Sequence, residues 1–282
     1  MLVVRIQTMP EPLISLRPHF QLVDGLVIHS LSMSSANTEL APIVLLHGLG
    51  ASAHSYVPLM RALARYSPKL LAPDMPAHGL SPYPRKSLKL MQAYLAMAKA
   101  LRQKIDPGKP VIVVGNSLGG AFAIHFALDF PELVKGLFLI SPAGAPFVKP
   151  ISETLDRFKP NNNKDSRQII HEVMGPNTPL AKPLAPLLTV FLRQQAMQSL
   201  IDSISNDDCF SPSEIAQLQC PIYMLWGQND RVLPADQCDY YEKHMSKDTI
   251  FDKPKDWGHC PQFIYPGDVA EKLRNFFTQN KR

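Results

Sequence analysis

The chain has 282 residues, of which 45% are hydrophobic and 19% charged, and its formal net charge is +5. This composition is typical of a globular protein that buries a core, and no apolar run reaches the ~18 residues of a membrane-spanning helix. The basic residues are scattered and no nucleic-acid-binding motif accompanies them. We therefore expect neither a nucleic-acid partner nor stable membrane insertion.

The N-terminal segment does not follow the pattern of a secretory signal. Residues 1–20 open with a short apolar stretch that Arg5 breaks, and Pro10, Glu11 and Pro12 interrupt it further. A signal peptide needs a basic start, a continuous apolar middle and a small-residue cleavage site. The four cysteines form no C-x-x-C pair, so we expect reduced thiols and no zinc site. The predicted location is cytoplasmic.

Short apolar runs predict a series of strands in the first half of the chain. Residues 19–25 and 26–33 are strand-like and meet at Asp24-Gly25, a dipeptide typical of a hairpin turn. The runs that follow are continuously apolar, as expected of parallel strands covered on both faces. These buried strands are predicted within residues 42–48, 69–79, 110–116 and 134–142.

Segments with helical spacing separate the predicted strands. They lie at residues 55–66, 88–105 and 118–130, and the second is a long amphipathic helix that stops at Asp106-Pro107-Gly108. Strands that alternate with helices in this way predict an α/β fold with a doubly wound, mostly parallel sheet.

The alternation stops between residues 144 and 212. This segment is rich in proline and prone to form helices, and residues 183–204 form an apolar, helix-like stretch. Strand character returns at 220–230, followed by a helix at 235–245, a weak strand at 249–251 and a closing helix at 266–280. We therefore predict a core made of residues 1–143 and 213–282, with residues 144–212 inserted as a helical cap.

One short motif points to chemistry. Residues 115–119 read Gly-Asn-Ser-Leu-Gly, a G-x-S-x-G pattern between a predicted buried strand and a predicted helix. The glycines permit a turn sharp enough to raise the Ser117 hydroxyl above the end of the sheet. The N–H of Leu118 then lies at a helix N-terminus, where it is suited to stabilise an oxyanion. Ser117 is the predicted nucleophile.

A serine nucleophile needs a base and an acid that orients the base. His259 lies in a loop before the last helix, and Asp230 lies in the loop after the strand at 220–230. Residues 139–146, after the preceding strand, contain no carboxylate, which favours Asp230. Among the other histidines, His54 and His78 are the main competitors of His259, because both are predicted in loops near the site.

The second oxyanion donor is expected from the loop after an earlier strand. Residues 45–50 read Leu-Leu-His-Gly-Leu-Gly, and the N–H of Leu49 is the candidate, with Gly48 allowing a close approach. We interpret His47 as a structural residue that shapes this loop. Within the predicted site, Asn116, Leu188 and Phe191 are the candidate substrate-binding residues.

Five segments together resemble a known family. The chain contains "HGLGAS", "PDMPAHGLS", "GNSLGG", "GQNDRVLP" and "GHCP" in that order. It is similar to members of the α/β-hydrolase superfamily that carry a helical cap. The resemblance implies the α/β-hydrolase fold, a Ser117–Asp230–His259 triad, no metal or cofactor, and a structural role for the segment around Asp74. Serine rather than aspartate at the turn favours acyl chemistry over alkyl transfer.

The predicted function is hydrolysis of a carboxylic ester through an acyl-enzyme, as in carboxylesterases and monoacylglycerol lipases. The cap is strongly apolar, and its seven basic residues balance its seven acidic residues. This balance gives no reason to expect a strongly charged acyl group, and we expect a small-molecule ester with a short-to-medium acyl chain or a monoacylglycerol-like substrate.

Two alternatives stay open. The first is a carbon–carbon bond hydrolase of the meta-cleavage-product type, which the chain resembles at Asn116 and for which Arg193 could bind substrate. Those enzymes place tryptophan after the histidine, where this chain has Cys260. The second is a non-catalytic binding module on the same fold.

Overall fold

The computed structural model describes residues 15–82, 87–176 and 178–279. The first 14 of the 20 residues considered for a secretory signal therefore lie outside the described residues. So do both ends of the predicted core, at 1–14 and 280–282. Within the described ranges, no helix has both the length and the apolarity that crossing a membrane requires.

Among the described residues, eight strands form one mixed sheet in the order β1-β2-β4-β3-β5-β6-β7-β8. The first two pair antiparallel, β2 also pairs antiparallel with β4, and the remaining pairs are parallel. The strands are β1 Arg17–Val23, β2 Leu26–Ser34, β3 Ile43–Leu46, β4 Lys69–Pro73, β5 Val111–Asn116, β6 Val134–Ile140, β7 Ile222–Leu225 and β8 Ile250–Asp252.

The predicted hairpin is confirmed. β1 and β2 are joined by Asp24 and Gly25, whose φ angles of 49° and 79° are both positive. A two-residue turn of this kind matches the right-handed twist of its strands, and aspartate followed by glycine tolerates it.

In the part of the chain that the structure describes, six helices precede β6 or follow β7. They are α1 Val57–Leu63, α2 Leu90–Arg102, α3 Leu118–Asp129, α9 Ala235–His244, α10 Pro261–Ile264 and α11 Pro266–Gln279. Five more lie between β6 and β7: α4 Ser152–Leu155, α5 Asn163–Met174, α6 Ala181–Leu192, α7 Gln195–Asp202 and α8 Pro212–Ile215.

The sheet is covered on both faces because its central strands are apolar on both sides. In β5, Val113 belongs to the core cluster that contains Phe122 of α3, whereas Val114 belongs to the cluster with Leu59 of α1 and Phe276 of α11. Successive side chains of a strand point to opposite faces, so one apolar run supplies both cores. This arrangement confirms the predicted α/β-hydrolase fold with an inserted set of helices.

The apolar, helix-like stretch predicted at 183–204 is helical but interrupted. The structure forms two helices, α6 and α7, which are separated at Arg193 and Gln194. Gln194 is extended, with a ψ of 137°, so the helical hydrogen-bond pattern stops there. The side-chain Nε2 of Gln198 donates to the carbonyl of Leu192 at 2.6 Å and satisfies one acceptor at the end of α6.

Candidate active site

Ser117 occupies a strained turn between β5 and α3. Its φ of 54° and ψ of −122° lie outside the helical and strand regions, although it is not a glycine. A Cβ at Gly119 would overlap the carbonyl oxygen of Leu46, and one at Gly115 would overlap the backbone of Gly119. Both glycines therefore permit the close approach of strand and helix that the sharp turn requires.

His259 and Asp230 form a buried pair. Asp230 follows β7, His259 precedes α10, and the imidazole Nδ1 lies 2.7 Å from the carboxylate Oδ2. The other carboxylate oxygen accepts the backbone N–H groups of Val232 and Leu233 at 2.8 and 3.0 Å. The carboxylate is therefore fixed on both oxygens and holds one ring nitrogen of the histidine, which leaves Nε2 available for proton transfer.

The environment of Asp230 favours its charged form. Burial by itself would raise the pKa of this carboxyl group. The nearby His259 and the two N–H donors outweigh burial and hold the pKa below its ordinary value. Asp230 is therefore an anion at neutral pH, which is the state that orients and stabilises a protonated imidazole.

Ser117 and His259 line one cavity of about 400 Å³. Its floor comes from the loops at the end of the sheet, and its roof comes from α5 and α6 of the inserted segment. Asn116, Leu188 and Phe191, the candidate substrate-binding residues, also line it. The structure therefore places predicted site residues from distant parts of the chain around one cavity.

The two predicted oxyanion donors lie beside the serine. Leu49, Ser117 and Leu118 line a second, smaller cavity of about 70 Å³. In the described part of the chain, no hydrogen bond takes the N–H of Leu49 or of Leu118. A Cβ at Gly48 would lie 3.1 Å from the Cβ of Ser117, so this loop passes as close to the serine as expected.

His47 and His78 are held by backbone groups. Nε2 of His47 accepts the N–H of Met75 at 3.0 Å, and Nε2 of His78 accepts the N–H of Gly50 at 3.2 Å. Burial lowers the pKa of both rings, that of His78 to about 3. Both imidazoles are therefore neutral acceptors whose basic nitrogens are already used. They fix the loop that carries Leu49.

The carboxylate of Asp74 is held by backbone N–H groups and by a histidine. Its Oδ1 accepts the N–H of Ala53 at 2.6 Å, and its Oδ2 accepts the N–H of Leu80 at 2.8 Å. The same oxygen lies 2.7 Å from Nδ1 of His29. His54 is exposed and stacks on His29, with the ring centroids 6.2 Å apart.

Asn116 makes contacts that the sequence does not predict. Its Nδ2 donates to the carbonyls of Ile140 and His259, at 3.0 and 2.9 Å. Its Oδ1 accepts the thiol of Cys260 at 3.3 Å. The residue before the serine thus holds the backbone of the histidine loop, 143 positions away. A motif of neighbouring residues gives no information about a contact between residues so far apart in the sequence.

The sheet is mostly parallel and presents a serine on a strained strand-to-helix turn, and a histidine and an aspartate lie on later loops. This is the architecture of serine-elbow hydrolases. The comparison with known families agrees. The chain belongs to the alpha/beta hydrolase family, whose sequence model matches residues 43–272.

Several characterised proteins are similar over most of their length. The chain is 24% identical to Lipase 1 of Psychrobacter immobilis over 254 residues, which cover 86% of this chain and 78% of that one. It is 27% identical to the pimeloyl-acyl-carrier-protein methyl ester esterase of Nitrosomonas europaea over 241 residues, covering 79% and 90%. Among solved structures, 2-hydroxy-6-oxo-6-phenylhexa-2,4-dienoate hydrolase from Rhodococcus sp. superposes with a TM-score of 0.81 at 21% identity, covering 94% and 99%.

Proposed function

We propose that this protein is a serine hydrolase that cleaves carboxylic esters through an acyl-enzyme intermediate. The observation that carries the proposal is the convergence of Ser117, on its strained turn, and the buried His259–Asp230 pair on one cavity. The similarity to a lipase and to a methyl ester esterase supports ester chemistry.

The reaction would begin when the Ser117 hydroxyl attacks the ester carbonyl and passes its proton to Nε2 of His259. Asp230, bound to Nδ1, would stabilise the resulting imidazolium. The N–H groups of Leu49 and Leu118 would bind the oxyanion, each contributing about 3 kcal/mol to the transition state. Collapse of the intermediate breaks the ester C–O bond, and His259 protonates the departing alkoxide.

The second half returns the enzyme to its starting state. A water molecule gives a proton to His259 and its oxygen attacks the acyl carbonyl. The tetrahedral intermediate then expels Ser117, which recovers its proton from His259, and the carboxylic acid leaves. Atoms and charge balance with the substrate and one water.

The cavity favours an uncharged substrate. Its described lining side chains include aliphatic and aromatic residues of α5 and α6 and no arginine or lysine. Arg193 is the sequence-based candidate for binding a dienoate. It instead donates to the carbonyl of Asn161 at 3.1 Å, in a contact that is exposed to solvent. A diketo acid would therefore bring its carboxylate into an apolar space without a cationic partner, which is unfavourable. In this proposal, residues 144–212 act as the cap that selects the substrate, and 1–143 with 213–282 form the catalytic core.

A substrate series tests the proposal directly. We expect p-nitrophenyl acetate, butyrate and octanoate to be hydrolysed, with kcat/KM at least about 100-fold above that for a 2-hydroxy-6-oxo-dienoic acid, since one desolvated carboxylate costs ~3 kcal/mol or more. The measurement is release of p-nitrophenol and loss of dienoate absorbance. Faster turnover of the diketo acid would establish the carbon–carbon alternative. Turnover of neither class would support the binding-module alternative.

Replacing Asn116 with alanine distinguishes substrate binding from positioning of His259. The variant removes the donor to the His259 carbonyl, so we expect kcat to fall about 10-fold with little change in KM, as misplaced catalytic groups lower turnover. Steady-state kinetics on p-nitrophenyl butyrate provide the readout. Asn275→Ala, an exposed position on α11, is the matched control. A raised KM with unchanged kcat would instead show that Asn116 binds substrate, as the sequence predicts.

A further inference from the structure

Ser117 lies between two cavities of different size. The larger one, of about 400 Å³, is also lined by His259, and the smaller one, of about 70 Å³, is also lined by Leu118. Leu49, Ser117 and Phe158 line both, so the two cavities meet at the proposed nucleophile and at the loop that carries the N–H of Leu49. An ester bound at Ser117 has two parts, the acyl chain and the alcohol, and each part needs a space of its own.

The position of His259 indicates which part of the ester faces which cavity. In the tetrahedral intermediate, the carbonyl carbon carries the Ser117 oxygen, the oxyanion, the alcohol oxygen and the acyl carbon. The alcohol oxygen has to face His259, because that imidazole protonates it as it leaves. Among the described residues, His259 lines the larger cavity and not the smaller one. The alcohol therefore extends into the larger cavity, and the acyl chain extends to the other side of Ser117, into the smaller one.

The volumes of the two cavities limit the size of each part. An apolar cavity of roughly 150 Å³ holds one molecule of benzene. By that measure the smaller cavity, of about 70 Å³, accepts about three carbon atoms beyond the carbonyl, as in a butyryl group. The larger cavity, of about 400 Å³, accepts about 16 carbon atoms. The space for the alcohol is therefore several times the space for the acyl chain.

The lining of the smaller cavity suits an uncharged hydrocarbon group. Ala121 of α3 and Leu233, which follows β7, line it from the core, and Leu155 of α4 lines it from the inserted segment. Asp208 is the one charged residue among the described lining residues, and its Oδ2 accepts the N–H and the hydroxyl of Ser205 at 2.8 and 3.2 Å. An acyl chain that ends in a carboxylate would meet this like charge, which is unfavourable.

We propose that the protein prefers esters that join a short, uncharged acyl group, of about two to four carbon atoms, to a bulky apolar alcohol. The proposal rests on the proposed ester hydrolase function and adds which part of the substrate is large. Leu155, in the smaller cavity, limits the length of the acyl chain, whereas Leu188, in the larger cavity, contacts the alcohol.

Two isomeric esters test the assignment of the cavities. Octyl acetate and ethyl octanoate have the same formula, and both release a primary alcohol, but the long chain is on the alcohol in the first and on the acyl group in the second. We expect kcat/KM for octyl acetate to be at least about 10-fold higher, because the octanoyl chain does not fit the smaller cavity. The measurement is titration of the released acid, with both esters below their solubility limits. Equal values, or faster hydrolysis of ethyl octanoate, would overturn the proposal.

A variant of each cavity supplies the second readout, the ratio of kcat/KM for p-nitrophenyl octanoate to that for p-nitrophenyl acetate. Leu155→Ala enlarges the smaller cavity and should raise this ratio about 10-fold. Leu188→Ala is an equal truncation in the larger cavity and should leave the ratio unchanged, because both substrates have the same alcohol. The ratio also cancels any difference in the amount of folded protein.

The outcomes separate this proposal from the proposed function. An unchanged ratio in Leu155→Ala, or a rise in Leu188→Ala alone, would place the acyl chain in the larger cavity and overturn the assignment while ester hydrolysis stands. Failure of the parent on p-nitrophenyl acetate and on both isomeric esters would refute the proposed function and this assignment with it.

Discussion

Ser117→Ala should abolish ester hydrolysis, with kcat on p-nitrophenyl butyrate reduced by at least about 1,000-fold. The variant removes the attacking oxygen and nothing else of consequence. Within the described residues, no hydrogen bond uses the Ser117 hydroxyl, and alanine keeps the Cβ that serine already carries at this positive φ. Its thermal midpoint should therefore stay close to that of the parent.

Two controls make this result specific. Ser213→Ala, on the short helix α8, removes a serine hydroxyl far along the chain and should retain full activity. A fluorophosphonate probe should label the parent and the Ser213 variant but not the Ser117 variant. Retention of most of the activity by Ser117→Ala, with probe attached to another residue, would show that the nucleophile lies elsewhere.

Asp230→Asn should lower kcat by about 1,000-fold or more while leaving the fold intact. The asparagine oxygen would keep the hydrogen bonds from the N–H groups of Val232 and Leu233. Its NH2 group would then face Nδ1 of His259, which must accept rather than donate. The proton moves to Nε2, and that nitrogen no longer accepts the proton of Ser117.

The comparison variant for Asp230 is Asp239→Asn on α9, an exposed acid that should retain parental kinetics. Thermal unfolding of both variants separates loss of catalysis from loss of structure. A decrease of less than about 10-fold for Asp230→Asn would place the orienting acid at another residue, since a carboxylate in this role contributes much more. Probe labelling should slow in parallel with turnover, because acylation uses the same base.

The sequence predicts most of the fold because local sequence patterns mark the turns and strands that the structure forms. The Asp24-Gly25 turn needs two positive φ angles, and the residues that tolerate them are recognisable without a structure. Continuous apolar runs such as β5 are equally clear. By contrast, the break between α6 and α7 depends on the extended conformation of Gln194, which lies within a sequence of good helix formers. Tertiary packing, not helix propensity, decides where such a helix ends.

The sequence predicts which residues form the candidate site, but it does not predict the contacts that support them. Ser117, Asp230 and His259 follow from the motif and from their order along the chain. The roles of Asn116 and His78 do not, because each depends on a backbone group that a distant loop supplies. Such contacts exist only after the sheet has brought those loops to one edge.

The inserted helices leave the core after β6 and return at β7, and these two strands are hydrogen-bonded neighbours in the sheet. The ends of the insertion also meet directly, because the N–H of Phe210 donates to the carbonyl of Gly144 at 2.7 Å, so its length places little demand on the sheet. The proposed nucleophile, base, acid and oxyanion donors all lie outside it. Under the proposed function, we therefore expect that exchanging this segment as a module would change the substrate while leaving the proposed catalytic residues in place.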